Sequence, residues 1–559
     1  MSSIAGNALA NLALPSPDGG PAPQFTSLAD CKRWLADLAI TNTALARDQL
    51  LQQLERLNRH PLPAAERLAI LEFLRSPLHF IHDEWLRPCL LQRPELPLAA
   101  ATEAGFAAMH MLWQALASGY LLVLQNAGAA ATASQSSADE RTQAALAATR
   151  ALATMRSIHL DHCHLGLLPD PDFWQRLHRI HHAAECLDVS QLAVADKPAG
   201  MAALTAAGAY VETLLLAAAQ PHELQPKQLD NVAYWARRWA AKVPLLLQPP
   251  EDPRTPPLCI DLSGSTAGAY AQPPASPPAS LRWLDLRALR KTIKQRLVKL
   301  GEGVSPQELK LGKGCVQPDC ELLLRRVYRD WCKGGRPAID TTSRPCELLT
   351  RIESIHFQLS GKPFNPVRQS IYLDKRAHEE LATFGHVATR AAGATGAVDN
   401  AAIVPPEHAS EHWQAAAGSL VDLQLQRPLA QPGSALTAGR LIGVRQQHAP
   451  GWQLARIGWI ASDLGTASLR ASIRLLPGTP QAVSLIRAVE GTSKTEHCRG
   501  FHLPAVPGLE QAATLLTPTG WFRPGQPIEI QGERSQKVRL SKLLERGADF
   551  ERCAYEPIA

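Results

Sequence analysis

The apolar residues of this chain repeat with two different periods, and the change from one to the other divides it. From Leu28 to about Val243 they recur three and four apart, as in Trp34, Leu35 and Leu38, then Leu50, Leu54 and Leu57, then Leu68, Leu71 and Leu74. That spacing lines one face of a helix. Pro61, Pro63, Pro77 and Pro88 punctuate the runs and predict breaks between helices. Later the period becomes two. Ile355 to Leu359, Leu423 to Leu425, Leu441 to Val444, Trp452 to Ile460, Leu469 to Leu475, Val483 to Val489, Ile528 to Ile530 and Val538 to Leu540 alternate as strands do. Pro477-Gly478 and Pro524-Gly525 stand between them. The expected fold class is multidomain α+β, with an α-helical N-terminal half and a C-terminal antiparallel β-barrel with additional strands.

At 559 residues the chain is too long for one core. The divisions expected are a Pro-, Gly- and Ser-rich loose start over 1–26, a helical domain over 27–247 and a Pro-rich linker over 248–280 around a short strand at 258–262. A second helical section over 281–334 follows, then a barrel over 335–490 and a β-rich extension over 491–559, with an Ala/Gly/Pro-rich mobile loop at 389–410. A net charge of +6 is small for this length and argues against bulk nucleic-acid coating. Met1–Asn7 has no basic residue ahead of an apolar stretch, so no secretory signal is expected. The stretch between Glu103 and Asp139 holds no charged residue, but His110, Gln114, Gln125 and Asn126 interrupt it, which predicts a buried core helix rather than a membrane span. Eleven scattered cysteines, an odd number, fit a reducing cytoplasm.

Several clusters invite a chemical reading. His159, His162 and His164 surround Cys163, and His178, His181 and His182 precede Cys186. Without a His-Glu-x-x-His or Cys-x-x-Cys pattern they read as surface or capping histidines, and no metal is expected. Cys315, Cys320, Cys332 and Cys346 have no zinc spacing and read as buried thiols. Gly312-Lys313-Gly314 lacks the earlier glycine and following Ser or Thr of a phosphate loop, and no nucleophile elbow or paired carboxylates stand out. The helix expected from Arg282 to Leu300 carries seven cations against Asp285 alone. Opposite its Leu286, Leu289, Ile293, Leu297 and Leu300 stripe, that face suits either solvent or an anionic partner.

Most of the chain resembles the large multidomain PilZ-type proteins of proteobacteria, the family associated with the messenger cyclic di-GMP. The resemblance rests on CKRWLADLAITN (31–42), ERLAILEFLRSP (66–77), LKLGKGCVQPDCELLLRRVYRDWC (310–332), IESIHFQLSGKPFNP (352–366), HWQAAAGSLVDLQL (412–425), LIGVRQQHAPGWQLARIGWI (441–460) and LRASIRLLPGTPQAVSLI (469–486). It implies a PilZ-like barrel over 335–490. In that family an Arg-x-x-x-Arg entry segment grips phosphate and stacks on guanine, and a strand carrying Asp/Asn-x-Ser-x-x-Gly contacts the second guanine. Here the strand motif falls on Ala417 to Asp422, where only Ser419 matches, Ala417 replaces the acid or amide, and Asp422 replaces the glycine. The entry segment falls near 336–345, where Arg336 and Arg344 are spaced more widely than the motif asks. Arg325 and Arg329 have the right spacing but lie on an expected helix upstream.

The ligand-binding residues this implies are Arg336, Arg344, Ser419 and Asp422. The function it implies is a cytoplasmic, non-catalytic regulatory adaptor linked to cyclic di-GMP signalling in motility, pili or biofilm, with weak or lost nucleotide binding. Cyclic di-GMP is the possible ligand and protein partners are expected, without nucleic acid or a membrane span. The competing readings are a protein–protein scaffold with no ligand and a metal-dependent enzyme in the helical half.

Overall fold

The computed structural model describes residues 12, 14–91, 94–132, 137–196, 201–250, 257–271, 274, 276–334, 342–364, 408–419, 421–447, 449–488, 495–532 and 535–558. Arg336 lies outside them, as does the stretch 389–410 apart from its last three residues. The chain divides into two compact units, one of residues 1–338 with 461–467, the other of 339–460 with 468–559.

The first unit is mainly helical. Its helices are α1 (Leu28–Ala36), α2 (Thr43–Arg59), α3 (Ala64–Cys89), α4 (Ala100–Thr132), α5 (Ala138–Leu165) and α6 (Pro171–Cys186). A hairpin of β1 (Val194–Asp196) and β2 (Met201–Leu204) precedes α7 (Ala206–Ala218) and α8 (Pro226–Trp239). Local chemistry sets the starts: Ser27, Asn42, Asp170 and Thr205 each accept an end N–H, and Ser137 forms a capping box with Glu140. Gly166, in the left-handed region at φ 68°, closes α5. Trp113, Tyr120, Tyr210, Trp235, Trp239 and Trp331 are among the largest side chains of the core.

One expectation about helices is corrected. Pro77 and Pro88 do not break a helix, because both lie inside α3. Leu74, Leu78 and Ile81 keep that helix's inward face buried across Pro77, and the burial offsets the hydrogen bond that proline removes. The uncharged stretch forms α4, which is long and apolar enough to cross a membrane, and 61% of its most apolar window is buried inside the unit. His110, Gln114 and Gln125 lie along it.

The Pro-rich stretch contributes strands. β3 (Leu245–Leu246), β4 (Leu258–Asp261), β5 (Ala269–Tyr270) and β6 (Leu281–Leu284) form a sheet in the order β3-β6-β4-β5. The helix expected from residue 282 therefore begins later, as α9 (Arg287–Gly301). The cause is local: Trp283 and Leu284 are both buried against the sheet, and Asp285 then accepts the Arg287 N–H at 3.0 Å to start the helix. α10 (Asp319–Cys332) follows. Cys320 in its first turn is joined to Cys315 in a disulfide, so these two are not the free thiols expected. The chain turns back between them and brings their Cα atoms to 5.1 Å, within bridging range.

The second unit holds two rings of strands. The first comprises β7 (Ser343–Leu349), β8 (Glu411–Ala417), β9 (Asp422–Pro428), β10 (Leu441–Gln446), β11 (Gln453–Asp463) and β12 (Ser468–Leu475), in the order β11-β10-β7-β8-β9-β12, and a β11–β12 pairing joins the two ends. The second is a closed antiparallel barrel of β13 (Gln481–Ala488), β14 (Thr495–Leu503), β15 (Thr514–Pro518), β16 (Pro527–Gln531), β17 (Ser535–Arg546) and β18 (Phe550–Pro557), in the order β13-β14-β15-β18-β17-β16. The strand at 481–488, grouped with the first barrel by sequence, pairs with β14 and β16 instead.

Residues 355–359 are not a strand. They lie in the helix α11 (Ile352–Ser360), which ends at Gly361 with φ 67°. Ser354, Ile355 and His356 are buried in succession, and a Cβ on Gly443 of β10 would sit 3.3 Å from Ile355 Cγ1, so glycine lets the helix lie close.

Candidate ligand site

The strand register brings two of the expected ligand segments to one end of the first barrel. β7 and β8 run antiparallel with Ser343 opposite Ala416 and Arg344 opposite Ala415. β9 returns beside β8 with Leu423 opposite Ala417, and pairs on its other side with β12, Asp422 facing Arg474. The start of β7 and the β8–β9 turn therefore share an end, and the β10–β11 hairpin joins them there, since the Gln447 N–H donates to the Pro345 carbonyl at 3.2 Å.

At that end Ser419 and Asp422 belong to one tight turn. The Ser419 hydroxyl donates to Asp422 Oδ2 at 3.0 Å and accepts from the backbone N–H groups of Val421 and Asp422 at 3.2 and 3.0 Å. The N–H groups of Gly418 and Ser419 donate to the Asp422 carbonyl. Asp422 Oδ1 accepts from Arg474 Nε across the strand pair at 2.9 Å. The Asp422 carboxylate thus serves both this turn and this cross-strand ion pair. Arg344 is exposed at the start of β7. Ala417, the last residue of β8, offers only a methyl.

Sequence reasoning missed an aromatic–cation pair at the same end. The Arg445 guanidinium carbon lies 4.7 Å from the centre of the Trp452 ring, and Arg445 also pairs with Glu347 across the β10–β7 register at 2.6 Å. Its signal in the sequence is only an arginine seven residues before a tryptophan, separated by the hairpin.

The two histidine clusters are elsewhere, in the helical unit, and their surface reading is corrected. His159, His162, His164, His178 and His181 are all buried. His178 is held between the Tyr210 hydroxyl at 2.7 Å and the Thr266 carbonyl at 2.8 Å. His181 stacks on Tyr210 with ring centres 4.1 Å apart and meets Glu185 at 3.2 Å, while Glu185 also binds Arg282 at 2.8 Å. Burial holds His159 well below the usual imidazole range, helped by His162 and His222. Among the described residues no three or more His, Cys, Asp or Glu side chains are grouped to hold a metal ion.

Two family models match the chain. "Cyclic-di-GMP receptor FimW, N-terminal domain" covers residues 29–251, and "FimW C-terminal beta-barrel domain" covers residues 482–558. Both FimW domains are matched in this chain. The second of these matches spans the second barrel almost from end to end, and the first spans the helices α1 to α8. A curated protein of Pseudomonas aeruginosa, "Cyclic-di-GMP receptor FimW", is 24% identical and aligns over 95% of this chain and 91% of its own length. No solved structure matches. The first barrel, with Ser419 and Asp422, lies between the two stretches matched to FimW.

Proposed function

We propose that this chain is a cyclic di-GMP-linked regulatory protein of the cytoplasm that acts through protein partners and not by catalysis. The observation that carries this is the full-length similarity to a protein named as a cyclic di-GMP receptor, together with both FimW family matches. The first barrel is the PilZ-like one, and its 336–345 entry, the Ser419–Asp422 turn and the Arg445–Trp452 pair form the messenger's contact surface. Arg344 supplies a guanidinium group for phosphate there, and Arg336, which lies outside the described residues, is the second arginine proposed for it. Binding is weak, because Ser419 and Asp422 already bond to each other and Asp422 to Arg474. Each missing polar contact costs about 1–3 kcal/mol, so two shift a micromolar affinity towards millimolar.

Calorimetric titration of the full chain with cyclic di-GMP tests this reading. Weak binding that tightens in the double variant Ala417→Asp with Asp422→Gly is the expected result. That variant restores the missing acid and removes the carboxylate that holds Arg474. Submicromolar binding by the unmodified chain, or tightening absent from the double variant, defeats the proposed placement. The scaffold reading is favoured instead if neither protein binds, since the internal bonds of the turn would then be its whole purpose.

A further inference from the structure

The helical unit carries a cationic groove that neither its fold nor the messenger reading uses. It encloses about 620 Å³ between the second half of α9 and the loop that follows. Lys294, Arg296, Lys299 and Lys310 line it, with only Glu302 and Glu308 as carboxylates, which leaves two positive charges in excess. Lys294, Lys299 and Lys310 are exposed, and among the described residues none of the three has an ion pair.

Arg296 is the more telling member. It lies half-buried over Trp239, 5.3 Å from the ring centre, and its one hydrogen-bonded terminal nitrogen donates to the Thr292 carbonyl. Its Nε is buried without a hydrogen-bond partner, and no carboxylate pairs with it among the described residues. Burial, and then repulsion from Arg238, push its pKa down. A guanidinium that is desolvated, crowded by a second cation and left without a counter-charge is costly unless an anion arrives. Beside it Val298 is 60% exposed, one helical turn beyond Lys294, and Leu309 adds a second apolar wall.

We propose that this groove docks an acidic peptide segment of a protein partner, anchored by an apolar side chain against Val298 and Leu309. The excess charge selects carboxylates, and the concave shape with apolar walls accepts a side chain. Duplex nucleic acid fits less well, because Glu302 and Glu308 interrupt any continuous row of phosphates. A membrane surface is flat on this scale and cannot enter the groove.

The test is fluorescence anisotropy of the full chain with a labelled synthetic peptide of glutamates and interspersed leucines. The expected result is salt-sensitive binding that weakens at least about tenfold in Lys294→Glu/Lys299→Glu/Lys310→Glu, equivalent to about 1.4 kcal/mol. Val298→Asp should weaken it about threefold to tenfold. A matched reversal on the second barrel, Lys537→Glu/Arg539→Glu/Lys542→Glu, should leave it within about twofold, and circular dichroism confirms that each variant is folded. Equal weakening by both charge reversals, or none by the groove variant, overturns the proposal. So does tighter binding of duplex DNA or phosphatidylserine vesicles through the same three lysines.

Discussion

Arg427 shows what a single buried charge asks of its neighbours. Its side chain is 1% exposed, its guanidinium donates to Glu411 Oε2 at 3.0 Å and to the Pro432 carbonyl, and it lies over the Trp413 ring. Glu411 in turn accepts from the Trp413 indole N–H and the Ser434 backbone N–H. Removing one partner leaves the other ionised in a dry site, so Arg427→Ala should cost about 3–5 kcal/mol. The double variant Arg427→Met with Glu411→Gln should cost clearly less than the two single changes added. Urea unfolding of the four proteins reads the coupling, and strict additivity would refute it. Nothing in the sequence pairs these two residues, which are 16 apart on adjacent strands and read alone as ordinary polar positions. Ser419 and Asp422 were legible as positions through the family resemblance. Their bonds to one another and to Arg474 were not, because a carboxylate's partner across a strand depends on a register that alternation does not fix.

At the level of elements, period gave type wherever one face was buried and failed where a short segment satisfied both periods. Ile355 to Leu359 alternates, but Ile352, Ile355 and Leu359 are also three and four apart, and packing under Gly443 decides for helix. Residues 281–284 share the leucine content of the helix that follows them, and only the partner strands at 245–246 and 258–261 decide for sheet. Both the short strand within the Pro-rich stretch and the length of α9 after Arg287 were legible. The second barrel offers a direct check on strand packing. Gly500 of β14 faces Leu485 and the backbone of β15, and a Cβ there would lie 2.6 Å from Leu485 Cγ and 3.0 Å from the Leu516 carbonyl oxygen. Gly500→Ala should therefore destabilise this barrel by about 1–3 kcal/mol. Gly508→Ala, with no atom within 4 Å of the added carbon, should change stability by less than about 0.5 kcal/mol. Denaturant midpoints of the two variants that coincide would contradict this account.

For the molecule as a whole, the buried histidines set how stability changes with pH. His79 and His110 lie on α3 and α4 and His222 in a short 3-10 turn before α8, and helices packed on several sides bury polar positions that an amphipathic pattern assigns to solvent. Burial, reinforced by nearby cationic groups, pushes His79, His110 and His222 down to about 4. Their unfolded-state values are near 6.5, so as pH falls below that the unfolded chain takes up protons that the folded chain refuses. Their contribution is present above about pH 6.5 and is lost as pH falls towards 4. His82 runs the other way. Burial opposes its charge, but the Asp161 carboxylate 2.8 Å away outweighs burial and raises it to about 9. Its contribution is present below about pH 6.5 and is lost as pH rises through 9. Three groups against one leave acid as the damaging direction, and each full shift is worth about 3 kcal/mol, against a typical domain stability of about 5–15 kcal/mol. The helical signal of the full chain at 222 nm should therefore collapse between about pH 6 and pH 4, with the thermal midpoint falling first. His110→Gln should move that collapse to lower pH, because glutamine has no proton to gain. A helical signal and melting temperature that hold steady down to pH 4 would show that these imidazoles protonate without unfolding the unit.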